Sequence, residues 1–380
     1  MAGEYEIWLT DDSGVRLAPL QKCLWFSASQ TDGGIGFFEM GLPLTFDTKQ
    51  FIKPDYMVQI WRKPAGGTMN LWRPYFIRKW RYEKGVEDEA IVIAGPDCKD
   101  LLRRRIAVGY AGTSYSSKVD YADDMMKEII TQQLGASADT PTPVPTAGTR
   151  ILAAATFTVA PDVSLGPTLT KRLEFGRLLW PNGSGILSDI QQAAREAGTE
   201  VFFDIAVSNV SSTSISFEFR TFTGQPAADM SDLGVVFSDE QGNLRDAYLE
   251  HDYTAEVNYV YALGQGEATV RNIQQVYDST RYGISKWGRC EGGTDARNQS
   301  SNNGVRETGR VALEEGRPII RFGGIPMDTK GSRFGVKWDF GYKVRTKFRG
   351  EEFDTIIRAV TLSVNSSGVE KIQARLEYIG

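Results

Sequence analysis

A short β pattern occurs near each end of this 380-residue chain, and it constrains the fold more than any single motif. Near the start, Asp55-Tyr56-Met57-Val58-Gln59-Ile60 opens a strand and a Gly/Pro turn spans Pro64 to Gly67. Strands are then predicted over Tyr75–Tyr82 and Glu89–Ala94. Near the end, Tyr342-Lys343-Val344-Arg345-Thr346 opens a strand and a polar turn covers Arg349 to Glu352. Thr355–Val364 and Val369–Ile379 follow. Two three-strand meanders around a different middle predict one small barrel used twice. Such duplication suits a ring in which a few subunits match a partner of twice their symmetry, which points to architecture rather than catalysis.

A chain of this length exceeds one ordinary core and predicts about two to four domains. Aromatic residues at 11% together with 39 glycines fit a β-rich, turn-rich protein. The net charge of -5 argues against a protein that grips phosphates over its whole surface, while leaving room for local basic patches. Cys23, Cys98 and Cys290 are too few and too scattered for a disulfide framework or a zinc site. Free thiols in a reducing cytosol are expected, although an odd count also allows one bridge. Met1 to Glu6 lacks the basic and apolar regions of a signal peptide, and no apolar run approaches the roughly 18 residues of a membrane helix. A soluble chain with no classical export signal and no membrane insertion is therefore expected.

Three segments follow along the chain. Residues 1–107 read as a first tube-like β-barrel domain, with strands over Glu4–Leu9, Cys23–Phe26 and Gly36–Leu42. In Leu71–Tyr82, Trp72, Phe76, Trp80 and Tyr82 form an apolar face, opposite Arg73, Lys79 and Arg81. Asp97 is placed to cap a short helix carrying Leu101 and Leu102. Residues 108–233 read as inserted helical and α+β domains. Ala122, Met125, Met126, Ile129, Ile130 and Leu134 recur at helical spacing, and Pro141 to Pro145 is an extended spacer. A second helix is predicted over Ile186–Ala197 with Gly198 as its stop, followed by a hairpin of Val201–Val207 and Ile215–Phe222. Residues 234–380 read as a second tube-like β-barrel domain. Val235–Ser238, Val257–Leu263 and Thr269–Ile273 lead into a polar stretch, 291–304, expected as a mobile loop. The closing hairpin places Ile356, Val360, Leu362 and Val364 on the same face as Ile372, Ala374, Leu376 and Tyr378. The predicted class is mainly β with an α+β insertion, two tube-like barrels flanking a mixed helix and hairpin middle, in a ring-forming trimer.

Catalytic signals are weak. His251 is the only histidine, so any Ser-His-Asp triad would need it, yet in Glu250-His251-Asp252 adjacent side chains on an extended chain face opposite ways. Glu351-Glu352 and Asp239-Glu240 fall in predicted turns, where solvated charge is the simpler explanation than a glycosidase pair. Gly264 to Thr269 resembles half of a phosphate loop but opens no helix, so it reads as a strand-to-strand turn. Leu101 to Arg105 and Trp72 to Arg81 mix basic and aromatic residues as a single-strand nucleic-acid surface would, but strand alternation and helix-end charge explain them without a ligand. Trp61, Trp72 and Trp287 are the residues that would stack on sugars if the chain were a β-rich carbohydrate-binding or cell-wall-degrading protein. No catalytic, cofactor-binding or metal site is expected.

Several stretches resemble the central hub proteins of bacteriophage tails, the siphophage hub and tail-associated group related in fold to contractile-tail baseplate hubs. Gly34 to Pro43 is similar to that family's early glycine, aromatic and Leu-Pro strand. Ala94 to Arg105 resembles its G-x-D-x-x-x-L-L-x-R-R passage, and Val235-Val236-Phe237-Ser238 with Gly242-Asn243-Leu244 resembles its V-F-S…G-N-L passage. Asn258 and Gly264 are similar to the strand that follows. Phe340-Gly341-Tyr342 departs from the pattern, which has Gly-Asp there. With no fibre or peptidase extension after Gly380, host binding and wall cutting are not expected. The resemblance implies a non-enzymatic virion structural protein at the tail tip, assembled in the bacterial host cytoplasm as a homotrimer without cofactors. Its implied partners are the distal tail or tail tube protein, the tape-measure protein and tail fibre or spike proteins. DNA would meet it only in transit through an ejection channel of acidic or balanced charge.

Overall fold

The computed structural model describes residues 3–20, 22–44, 51–84, 89–108, 116–138, 149–152, 156–173, 176–231 and 235–378. The expected spacer at Pro141 to Pro145 lies outside them. The first part of the chain forms β1 (Glu4–Thr10), β2 (Arg16–Pro19), β3 (Trp25–Thr31), β4 (Phe37–Pro43), β5 (Met57–Lys63), β6 (Asn70–Phe76), β7 (Lys79–Lys84) and β8 (Glu89–Pro96). The middle forms α1 (Asp100–Arg103), β9 (Ile106–Ala107), β10 (Ser116–Tyr121), α2 (Ala122–Gln133), β11 (Phe157–Val159), β12 (Thr168–Leu173), β13 (Gly176–Arg177), α3 (Ile186–Glu196), β14 (Val201–Val210) and β15 (Ile215–Thr223). Next come β16 (Val236–Ser238), β17 (Leu244–Asp252), β18 (Tyr259–Leu263), β19 (Ile273–Tyr277), α4 (Ser279–Tyr282) and β20 (Glu291–Asp295). The chain finishes with α5 (Asn302–Glu315), β21 (Ile319–Pro326), β22 (Lys343–Phe348), β23 (Glu351–Val364) and β24 (Glu370–Tyr378). The protein is mainly β with several short helices.

Two compact units result, one of Met1–Ala247 with Gly323–Ile379 and a smaller one of Tyr248–Phe322. In the larger unit an eight-stranded sheet runs β16-β22-β23-β3-β4-β8-β7, with β24 on β23. Its centre joins the two ends of the chain: β23 lies antiparallel to β3, with Val360 opposite Gln30 and Val364 opposite Phe26. A four-stranded sheet runs β2-β1-β5-β6. Among the described residues neither sheet closes on itself, so the closed barrels expected from the sequence are not found.

The first predicted meander is broken after Phe76. Tyr75–Tyr82 is not one strand: β6 ends at Phe76 and β7 begins at Lys79. Between them the Ile77 N–H donates to the Tyr56 carbonyl and the Arg78 N–H to the Ala94 carbonyl. The chain thus leaves β5 and crosses to β8. Gly95 permits the crossing, because a Cβ there would stand 1.9 Å from the Phe76 carbonyl oxygen. As an edge strand β7 is exposed throughout, so Trp80 and Tyr82 do not form the expected apolar face. Arg73, expected on the polar face, is buried instead.

The closing meander forms in the expected order, but Glu351-Glu352, expected in the turn, begin β23, and a register shift between Ile357 and Ala359 sets Ile357 rather than Ile356 opposite Leu376. β22, β23 and β24 pair in sequence, with Leu362 opposite Ile372 and Val360 opposite Ala374. Gly368, at φ 73°, makes the turn that Asn365 begins by accepting the Val369 N–H. The middle helices also follow their periodicity. α2 buries Ala122, Met125, Met126, Ile129 and Ile130, and α3 buries Ile186, Leu187, Ile190 and Ala194 before Gly198 stops it at φ 87°. These side chains join Phe203, Ile205, Phe217 and Phe219 of the β14–β15 hairpin in one core. Met57 and Phe76 belong to the same core, and Phe76 meets Phe217 with ring centroids 6.3 Å apart. α1 starts at Asp100, not under an Asp97 cap.

Asp97 has a different partner. The Arg73 guanidinium donates to Asp97 at 3.0 Å and, through both terminal nitrogens, to Asp204 of β14 at 2.8 and 2.6 Å. Arg73 is 5% exposed and Asp97 fully buried. Burial pushes Asp204 up, but Arg73 beside it holds its carboxyl below the usual range; at Asp97 burial prevails and the shift is upward.

In the smaller unit the order is β19-β18-β20, and α5 packs on one face through Val305 against Ala262 and Ala296. The stretch 291–304 is therefore not one loop: β20 and the start of α5 leave only 296–301 without regular structure. β20 runs parallel to β18 with Glu291 opposite Tyr259, and α5 begins at Asn302 with Ser301 Oγ accepting the Gly304 N–H at 3.1 Å. Polar residues here serve as cap and edge strand, and only Val305, Gly309 and Leu313 of the helix are buried, four residues apart.

Replacing Arg73 tests the buried cluster. Arg73→Ala strands two carboxylates without their cation and is expected to lower the unfolding free energy by about 3–5 kcal/mol. The urea midpoint, read at unchanged m-value, measures it.

Candidate functional site

The sequence candidates for chemistry do not converge. His251 is exposed on β17, and its neighbours Glu250 and Asp252 pair with Arg321 of β21. Glu351-Glu352 begin β23 rather than forming a turn, while Asp239-Glu240 do lie in one, with Glu240 near Lys347. Gly264 to Thr269 opens the link between β18 and β19, in which Ala268–Val270 forms a 3-10 turn. The basic residues of both mixed stretches are largely occupied by carboxylates. Arg103 and Arg104 pair with Asp100, Arg104 and Arg78 with Asp55, and Arg81 with Glu39 and Glu83. A phosphate-tracking strip needs uncommitted cations, which these are not. Trp287 is 84% exposed in the smaller unit, whereas Trp61 and Trp72 are half-buried in the larger one.

A polar recess of about 300 Å³ lies in the larger unit. Gln30 of β3, Arg62 of β5, and Asn70, Leu71 and Trp72 of β6 line one side. The segment Phe334 to Tyr342 lines the other, with Asp339 among its residues. That segment winds around Trp338, which is fully buried and donates its indole N–H to the Ser332 carbonyl at 2.9 Å. Gly335, at φ 78°, donates its N–H back to the Trp338 carbonyl at 2.8 Å. Trp338 also meets Phe237 edge-on and Phe334 at 4.9 Å.

Arg62 anchors the wall. Its Nε donates to Glu370 at 2.8 Å, its Nη1 donates to the Phe334 carbonyl at 3.0 Å, and its guanidinium lies 4.9 Å over the Phe334 ring. Tyr5 also donates to Glu370. Burial pushes the Glu370 carboxyl up, but bonds from Arg62, Tyr5 and the Gly3 N–H outweigh it and hold it below the usual range.

Two polar groups of the recess lack such support. Asp339 accepts the Phe340 N–H at 2.7 Å but has no ion pair among the described residues. Burial pushes its carboxyl up to about 6, against the opposing pull of that bond and of Arg62. The Trp72 indole N–H is buried with no hydrogen-bond partner. The sequence reading named Trp72 as a sugar-stacking candidate but missed Arg62 and Asp339. The available hint was Gly335 and Gly341 punctuating the aromatic run Phe334, Trp338, Phe340 and Tyr342.

Comparison with solved structures places this architecture among phage tail proteins. The 43 kDa tail protein of prophage MuSo2 from Shewanella oneidensis superposes with a TM-score of 0.56 at 13% identity, covering 98% of each chain. Prophage tail protein gp18 from Listeria monocytogenes EGD-e gives 0.52 at 10% identity over 99% of this chain and 94% of that one. A tail protein from Neisseria meningitidis MC58 gives 0.51 at 11% identity over 98% and 96%. Among curated proteins none matches the sequence. The fold is that of a phage tail structural component. Residues 33–376 match the family of Siphovirus ReqiPepy6 Gp37-like proteins, and the chain belongs to that family.

Asp339 gives the recess a measurable signature. Its folded pKa of about 6 lies above the ordinary value of 3.8. Between those pH values the folded state holds a proton that the unfolded state has lost, so stability falls as pH rises through the window. The loss is about 3 kcal/mol once Asp339 is ionised. Asp339→Asn is expected to raise the melting temperature at neutral pH and flatten the slope of stability between roughly pH 4 and 6.

Proposed function

We propose that this chain is the central hub of a phage tail tip. It would join the tail tube or distal tail ring to fibre or spike proteins and line the channel through which DNA leaves. The observation that carries this reading is the end-to-end correspondence with a prophage tail protein, 98% of each chain, rather than of one module. Residues 1–107 and 234–380 are the tube-like parts, and 108–233 is the insertion between them. Three copies present six such parts to the six-fold proteins above, with the tape-measure protein as a further neighbour. The open sheet supports assembly: β7 is an edge strand exposed along its length, and such an edge is stable when another chain covers it. DNA passes through without being held, which accords with the net charge of -5 and the paired arginines. The hub takes no part in catalysis and needs no cofactor. It is assembled in the bacterial host cytoplasm and resides at the virion tail tip.

Native mass spectrometry of the purified chain is expected to give a species of three times the 42.2 kDa subunit mass. A chain that stays monomeric at every concentration and fails to enter tails in a complementation assay defeats the proposal.

A further inference from the structure

The last strand of the chain leaves an edge uncovered. β24 forms a ladder with β23 alone, and among the described residues no strand lies on its other side. Its nine residues, at about 3.4 Å each, make this edge roughly 30 Å long. Such an edge is a row of backbone donors and acceptors with which another extended chain can pair. A groove of about 700 Å³ opens beside its first part, between residues 368–372 and residues 325–328 at the end of β21. Glu370, Lys371 and Ile372 alternate between the two faces of the strand, so a space touching all three lies along the edge. Val369, 59% exposed, and Met327 give the groove apolar surface.

The two faces of β24 set what can lie beside it. Ile372, Ala374 and Leu376 are buried toward the core, while Lys371 and Arg375 are exposed on the opposite face. Neither cation has an ion pair among the described residues. Their neighbours across the ladder are Ser363 and Ala359, which carry no charge, so an acid can stand opposite them only on the open side. The nearby carboxylates are held elsewhere. Glu370 bonds Arg62 and Tyr5, Glu377 pairs with Arg358, and Asp328 accepts the Phe334 N–H. Asp246 lines the groove next to Arg245, which offsets it. A second β24 laid antiparallel on this edge would set Lys371 and Arg375 against the same cations, and like charges directly opposite are destabilising. A strand of alternating acidic and apolar residues suits both faces. Its acids stand beside Lys371 and Arg375, and its apolar side chains continue the row of Ile372, Ala374 and Leu376.

We propose that the β24 edge is a docking site for an extended segment of a different protein, which adds as a further strand with acidic residues beside Lys371 and Arg375. Backbone pairing supplies the affinity, and the two cations select the sequence. The groove at residues 368–372 receives one end of that segment. β24 and β7 are separate edges of the sheet, and the tail-hub reading does not use β24. The subunit mass can be that of three copies whether or not a strand docks here, so either proposal can fail alone.

Fluorescence anisotropy on the full chain tests the edge with two labelled peptides, Thr-Glu-Val-Glu-Val-Glu-Thr and its counterpart with lysine in place of every glutamate. The acidic peptide is expected to bind, and the lysine peptide to bind at least about tenfold more weakly. Raising the salt from about 50 to about 500 mM should weaken the acidic peptide several-fold, because exposed ion pairs are screened. Lys371→Glu with Arg375→Glu, both at exposed positions, should reverse the preference and leave the melting curve near that of the parent. Lys371→Gln with Arg375→Gln, which adds no new charge, should abolish the preference without reversing it. No anisotropy change with the acidic peptide, equal binding of the two peptides, or an unchanged preference in both double variants overturns the proposal. So does a smaller number of subunits for either double variant in native mass spectrometry, which would assign the edge to a second copy of this chain.

Discussion

Arg73 reaches two carboxylates at once, the buried Asp97 ahead of the first short helix and the part-buried Asp204 on the hairpin of the inserted segment. Desolvating one guanidinium and two carboxylates is costly, so the arrangement survives only where every partner arrives in register. It therefore acts as a condition on the fold: the first strands, the turn after β8 and the β14–β15 hairpin must come together, or not at all. Arg358 repeats the device, donating to Asp32 at 2.9 Å and to Glu200 at 2.8 Å from the bulge in β23. Arg62 and Glu370 do the same between β5 and β24. Three buried arginines thus link segments that the sequence keeps far apart.

That pattern explains where sequence reading succeeded. The β23–β24 hairpin was legible because alternation and an Asn-to-Gly turn are local signals, and α2 and α3 because their apolar spacing and glycine stops lie within one window. The break at Ile77 was hidden, since it depends on Gly95, which is remote from it in sequence and must lack a side chain. Arg73 reads as solvent-facing by alternation alone, and only the distant Asp204 makes its burial tolerable. β20 and α5 were missed because pairing with β18 and a serine cap, not hydrophobicity, order those residues.

The recess shows the same limit for function. Trp72 can be singled out by residue type, but Asp339 has no motif around it. Its interest comes from partial burial without an ion pair among the described residues, a property of packing that spacing does not carry. His251 is exposed on β17, and the adjacent Glu250 and Asp252 pair with Arg321.

The pairing of β3 with β23 has a consequence for how the protein is made. Strand partners that lie at opposite ends of a polypeptide cannot meet until the ribosome has delivered the last of them, so the central sheet waits on near-complete synthesis. Until then β3 has a bare side, open to mispairing with other nascent chains. A product terminated before β23 lacks the strand that covers this side of β3. The topology thereby makes the central sheet depend on the full length of the chain from β3 to β23.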